Sequence, residues 1–81
     1  MRIYGNGPGD ASIRRPGHAY AELVGGPLDG QLLDVTGWGA QQLLDGALLM
    51  CESGMYGPGG RSDYAGRADE AGRLYWQGDS P

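Results

Sequence analysis

The sequence predicts a mainly β protein: a small antiparallel β-meander of about four to five strands with one short helix. Three observations predict it. Apolar runs of strand length recur along the chain, separated by turn signals every ten to fifteen residues. One of those signals, Gly25-Gly26-Pro27-Leu28-Asp29-Gly30, joins two strand-like runs as a tight hairpin loop. A single segment, Ala40-Gln41-Gln42-Leu43-Leu44-Asp45, reads as a helix of one or two turns, closed by Gly46 as its C-terminal cap.

The elements follow in order. Residues 1–17 form a Gly/Pro-rich N-terminal arm, and residues 18–81 form the small antiparallel β domain. The middle of the arm, Gly5 to Asp10, consists of turn formers. Arg2-Ile3-Tyr4 and Ser12-Ile13-Arg14 flank that turn as short strands. An arm with two apolar anchors, Ile3 and Ile13, orders only if the domain or a neighbouring copy holds it.

Tyr20-Ala21-Glu22-Leu23-Val24 and Gln31-Leu32-Leu33-Asp34-Val35 are the arms of the hairpin. Its loop chemistry is specific. Pro27 pre-sets φ near −65°, Asp29 can fold its carboxylate onto nearby backbone N–H groups, and Gly30 can take positive φ. Such a loop fixes register, and register decides which side chains face the core. Thr36-Gly37-Trp38-Gly39 ends the second strand, with Trp38 over the sheet. Ala47 to Cys51 is an apolar run of strand length, read as a central strand. Tyr56-Gly57-Pro58-Gly59-Gly60 is a turn with Pro-Gly placed for type II. Arg61 to Tyr64 is a short strand, Ala65 to Gly72 a polar loop, and Arg73-Leu74-Tyr75-Trp76-Gln77 the closing strand. Gly78 to Pro81 reads as a fraying tail. The candidate core is Leu23, Leu33, Val35, Leu43, Leu44, Leu48, Met50, Tyr64, Leu74 and Trp76.

Composition narrows the function classes. A chain of 81 residues buries only about 60–65% of its unfolded surface, so extra stabilisation is expected. Cys51 is the lone cysteine and His18 the lone histidine, which argues against a disulfide framework and a metal site and suits a reducing cytoplasm. Oligomerisation is then the expected source of added stability. No signal peptide and no apolar run of spanning length is visible. The formal charge of −4 argues against generic nucleic-acid or membrane binding. The arm carries three arginines against one aspartate, a local +2 that leaves −6 for the remainder. Every cation is arginine, as a GC-rich genome gives, and arginine is also the better fork for carboxylate and phosphate.

Catalytic constellations are sparse. Cys51 lies inside the apolar run, where a buried thiol is ordinary, and His18 sits at a strand start as a solvated edge residue. Asp69 and Glu70 are adjacent and diverge, while Asp29, Asp34 and Asp45 have turn or capping roles. No catalytic residue, metal ligand set or cofactor motif is expected. The Gly-rich loops at 5–9, 25–30 and 57–60 could offer backbone N–H groups to an anion, although none is a Walker or dinucleotide motif. Arg14 and Arg15 beside the first, and Arg61 beside Gly59 and Gly60, would add charged forks. Tyr56 and an exposed Tyr75 would add stacking faces, with Trp76 turned to the core. Arg14, Arg15, Tyr56, Gly59, Gly60, Arg61 and Tyr75 are thus the candidate ligand-binding residues. Gly25, Gly26, Pro27, Asp29 and Gly30 are the structural turn.

Four segments carry a resemblance: Tyr-Ala-Glu-Leu-Val-Gly-Gly-Pro-Leu-Asp-Gly (20–30), Leu-Asp-Val-Thr-Gly-Trp (33–38), Tyr-Gly-Pro-Gly-Gly-Arg (56–61) and Leu-Tyr-Trp-Gln-Gly-Asp (74–79). With them the chain resembles small, mostly uncharacterised proteins of actinobacteria and their phages over about three quarters of its length. The resemblance implies a phage or mobile-element setting and no mechanism; the arm departs from the pattern. The function expected is a non-enzymatic, homo-oligomeric phage- or prophage-type module. It would bind or sequester a small anionic, nucleotide-like ligand or a host defence component in the host cytoplasm. The alternative is a virion accessory or capsid-decorating protein, and the third reading is a small hydrolase.

Overall fold

The computed structural model describes residues 3–4, 16–51, 54, 57 and 59–80. Five strands form one sheet: β1 (Tyr20–Val24), β2 (Leu32–Asp34), β3 (Ala47–Met50), β4 (Arg61–Arg67) and β5 (Glu70–Ser80). One helix, α1 (Ala40–Asp45), lies between β2 and β3. The fold class read from the sequence is therefore present. Ile13, Arg14, Arg15 and most of the arm lie outside the described residues, as do Tyr56 and Pro58. Among the described residues no helix is long and apolar enough to cross a membrane.

The hairpin loop behaves as its residue types dictate. β1 and β2 pair antiparallel, Tyr20 opposite Asp34 and Glu22 opposite Leu32. The Asp29 N–H donates to Gly26 O at 3.3 Å, with Pro27 second in that turn. Asp29 Oδ1 accepts from the Gly25 N–H at 2.6 Å. Gly30 takes φ 85° while its N–H donates to Leu23 O at 2.8 Å. Positive φ at this point is open to glycine without steric cost.

The strand order, β2-β1-β5-β4-β3, corrects the meander. Three neighbouring pairs are antiparallel, as expected, but β1 and β5 run parallel, with Glu22, Leu23 and Val24 opposite Arg73, Leu74 and Tyr75. Parallel neighbours need a long crossover, and the segment containing β2, α1, β3 and β4 supplies it. β5 is central and eleven residues long, against seven for β4. The excess is absorbed in two register shifts, between Asp63 and Tyr64 and between Ala65 and Arg67. Irregularities of this kind bend a strand and increase its twist. One residue bridges the two edge strands, through its backbone on one side and its side chain on the other. Tyr4 donates its N–H to Leu32 O on β2 at 2.7 Å and its hydroxyl to Met50 O on β3 at 2.8 Å. Ile3 makes a parallel bridge to Leu32 and is buried. The domain itself thus holds these two residues of the arm.

The segment 65–72 read as a loop is instead the end of β4, a two-residue turn at Ala68-Asp69 and the start of β5, with Arg67 opposite Glu70. Gly78 to Ser80, read as a fraying tail, pairs with Asp63, Ser62 and Arg61. Ser62 Oγ and Trp76 Nε1 both donate to Asp79 Oδ1, at 2.6 and 2.9 Å, and anchor that end. β3 is an edge strand, not a central one.

The core gathers Ala21, Leu23, Leu28, Val35, Leu49, Cys51, Tyr64 and Leu74, with Tyr4, Leu33, Trp38, Leu43 and Ala47 packed against it. Leu48 and Met50, expected inside, are 58% and 64% exposed; Leu49 and Cys51 take their place. Leu44 is also exposed, and Trp76, 40% exposed, lies against Gly26 at the sheet mouth. A Cβ on Gly26 would come within 2.5 Å of the Trp76 ring, so only glycine permits that contact.

Tyr64 is the largest fully buried side chain. Its hydroxyl donates to Gly25 O at 2.6 Å and accepts from the Leu28 N–H at 3.0 Å. Burial raises the Tyr64 pKa, partly offset by the Leu28 hydrogen bond. Replacing it by Phe leaves a donor and an acceptor of the hairpin loop unpaired, each costing about 1–3 kcal/mol when buried. Tyr64→Phe is therefore expected to lower unfolding free energy by roughly that amount, measured by urea titration with an unchanged m-value. A loss below about 0.5 kcal/mol, at the low end of a net hydrogen-bond contribution, would contradict this.

Candidate functional site

A cleft of about 370 Å³ opens between α1 and the tip of the β4–β5 hairpin. Ala40, Leu43 and Leu44 of α1 form one wall; Gly66, Arg67, Asp69, Glu70 and Arg73 line the other side. The helix lies hard against β4 because two glycines leave no side chain between them. A Cβ on Gly46 would fall 1.7 Å from Tyr64 O, and one on Gly66 would fall 2.6 Å from Leu43 O. Gly46 also ends the helix at φ 73°, with its N–H on Gln42 O at 2.9 Å.

The charged side of the cleft is a connected network. The Tyr75 hydroxyl donates to Glu70 Oε2. Arg73 Nη1 donates to Glu70 Oε1 at 3.3 Å, and Arg73 Nε lies 3.7 Å from Glu22 Oε1 on the parallel neighbour β1. The hydrogen bond from Tyr75, then Arg73, holds the Glu70 carboxyl below its ordinary pKa. The same bond to Glu70 pushes the Tyr75 phenol up. Hydrogen bonds to Tyr75 and Glu70 raise Arg73 further. The Arg67 guanidinium lies over the Tyr75 ring, its Cζ 3.7 Å from the centroid. A guanidinium so placed gains cation–π attraction while its edge N–H groups stay available. Among the described residues no carboxylate lies within ion-pair distance of Arg67.

A second polar cluster marks the β1–β2 edge. His18 Nδ1 and Asp34 Oδ2 are 2.7 Å apart, and the imidazole stacks on Tyr20 with centroids 6.3 Å apart. Asp34 Oδ1 accepts from the Thr36 hydroxyl at 2.6 Å and the Thr36 N–H at 3.0 Å. The Ala19 N–H donates to Thr36 Oγ1 at 2.9 Å. Chiefly through the Thr36 hydroxyl, then His18, the Asp34 pKa falls from 3.8 to about 2. This cluster laces the chain entering β1 to the chain leaving β2. Cys51 lies buried in the core cluster. Among the described residues no group of three or more His, Cys, Asp or Glu is placed to hold a metal ion.

The sequence-predicted site is scattered. Arg14, Arg15 and Tyr56 lie outside the described residues. Arg61 is exposed at the head of β4, opposite Met50 and Ser80, whereas Tyr75 pairs with Ala65, four residues further along. The structure does not bring them together. Gly59 is exposed at φ 87°, and the Gly60 N–H closes its turn onto Gly57 O at 3.0 Å. In the 25–30 loop the N–H groups of Gly25, Leu28, Asp29 and Gly30 all have internal acceptors. Those four amides shape the turn and are not free to cradle an anion. Tyr75 does belong to the cleft network, half-buried under Arg67. Sequence reasoning misses Arg67, Arg73 and Glu22 and sets Glu70 aside with Asp69; the signal for Arg67, Glu70 and Arg73 is the Arg-x-x-Glu-x-x-Arg spacing of 67–73, which suits a charged hairpin tip.

The chain matches no protein-family model, no curated protein and no solved structure.

Two measurements check the site's electrostatics. Asp34 has a depressed folded-state pKa, so its stabilising effect is complete above pH 3.8 and lost as pH falls toward 2. Melting temperature followed across that window should fall less steeply for Asp34→Asn than for the parent protein; parallel curves would contradict the assignment. Tyr75→Phe removes the main hydrogen bond to Glu70, so the Glu70 carboxyl should titrate at higher pH by carbon-detected NMR. An unchanged Glu70 titration would show that the neighbouring arginines, Arg73 and Arg67, set it without Tyr75.

Proposed function

We propose that this protein is a non-enzymatic binding module that holds a small ligand with an anionic group in the cleft between α1 and the β4–β5 tip. One observation carries the reading: Arg67 is stacked on Tyr75, lines an open cleft with an apolar wall, and has no acid partner among the described residues. A planar, pre-positioned guanidinium binds carboxylate or phosphate through two parallel hydrogen bonds. The volume of about 370 Å³ falls at the small end of ligand pockets, roughly 300–1,000 Å³. In a phage or prophage setting, such a module would sequester a small signal of host defence, and a homo-oligomer would multiply the sites.

The test is a thermal-shift series with 3-phenylpropionate, adenosine 5′-monophosphate and inorganic phosphate. At about 100 times its Kd, a ligand stabilises by about 2.7 kcal/mol. At least one probe should raise the melting temperature of the parent protein and fail to do so with Arg67→Gln. No shift with any probe would overturn the reading.

A second reading is favoured by a different observation. Leu48 and Met50 stand exposed on edge strand β3, where apolar side chains invite association. A virion accessory role would use that edge for assembly. Light scattering after size exclusion separates the two: loss of a discrete oligomer in Leu48→Lys favours assembly through β3.

A further inference from the structure

We infer that the ligand of the α1/hairpin cleft is a zwitterion with an apolar body, of the α-amino-acid type, its carboxylate on Arg67 and its ammonium on Asp69. The inference rests on the binding-module reading and names the chemistry of that site. Charge within the cleft is not uniform. Arg73 is shared between Glu70 and Glu22, and Glu70 also accepts from Tyr75. Those three charged groups satisfy one another. Two make no ion pair: Arg67, which acts on Glu70 only at longer range, and Asp69 at the exposed hairpin turn, two residues along the chain. Among the described residues, Arg67 lacks an acid and Asp69 lacks a cation within ion-pair distance, and both line the cleft.

The neighbourhood selects against a bare polyanion. Asp69 and Glu70 both line the cleft beside Arg67, and Glu70 is held ionised by its partners. A phosphate ester placed on Arg67 meets these carboxylates as like charges. A zwitterion meets Arg67 with its carboxylate and Asp69 with its ammonium. Its side chain then faces Ala40, Leu43 and Leu44 on the opposite wall. The cleft volume of about 370 Å³ suits a ligand of that size better than a dinucleotide.

The experiment compares L-phenylalanine with 3-phenylpropionate, which lacks the ammonium, and 2-phenylethylamine, which lacks the carboxylate. Affinities are read from amide chemical-shift titrations that also locate the site. L-Phenylalanine should bind about fivefold tighter than either analogue, the scale of one exposed ion pair. Its shifts should centre on Leu43, Leu44, Gly66 and Gly72. Asp69→Asn should bring L-phenylalanine down to the affinity of 3-phenylpropionate. Equal affinity of L-phenylalanine and 3-phenylpropionate for the parent protein overturns the zwitterion and leaves Arg67 as an anion site. Tighter binding of 2-phenylethylamine than of L-phenylalanine overturns it as well. Binding of none of the three, nor of the anions in the thermal series, overturns both readings.

Discussion

The buried hydroxyl of Tyr64 is the contact on which the architecture turns. It sits at the middle of β4 and reaches across the core to the hairpin loop, donating to Gly25 O and accepting from the Leu28 N–H. A small domain has few fully buried side chains with which to fix the relation of one end of the sheet to the other. Here one phenol does so with both hydrogen-bonding functions satisfied. The loop it holds positions Leu28 in the core and lays Gly26 beneath Trp76. Trp76 in turn donates to Asp79, which also accepts from Ser62 on β4, so the end of β5 is locked beside that loop.

The backbone of Tyr64 serves the other side of the molecule. Its carbonyl lies where a side chain at residue 46 would stand, so the helix terminus and β4 touch backbone to backbone. That close approach places Leu43 and Leu44 beside Gly66 and Arg67 and leaves a cleft instead of a filled seam. The parallel pairing of β1 with β5 then matters chemically. It puts Glu22 opposite Arg73, so Arg73 is engaged by two carboxylates while Arg67 is left to stack on Tyr75. Fold topology, more than composition, decides which arginine of the cleft is left without an ion pair.

Much of the fold was legible because local chemistry decided it. The 25–30 loop, the helix ending at Gly46 and the strand content each follow from residues adjacent in sequence. The failures have physical causes. Ala47 to Cys51 is apolar at every position, so its phase cannot be read from alternation. The expected burial of Cys51 settles it, because residues two apart share a face: Leu49 goes inside with Cys51, and Leu48 and Met50 go out. The Ala68-Asp69 turn carries neither glycine nor proline, so in sequence it merges into a long polar stretch that hides the strand residues on either side. The polar stretch Gly78 to Ser80 looked free because its partners, Ser62 and Trp76, are distant in sequence or role. Tyr75 was legible as an aromatic outside the core. Its companions were not, since Glu22 reaches Arg73 only through a parallel pairing between the first and last strands, a contact no local pattern encodes.

The claim that Arg67 is the free, pre-positioned cation of the cleft is tested most directly by its own side-chain resonance. Arginine Nε–Hε signals recorded during titration with 3-phenylpropionate would follow Arg67, Arg73 and Arg61 together. A saturable shift of Arg67, with Arg61 at the far end of β4 unmoved, is the predicted result. A small, linear drift shared by all the arginines would contradict it.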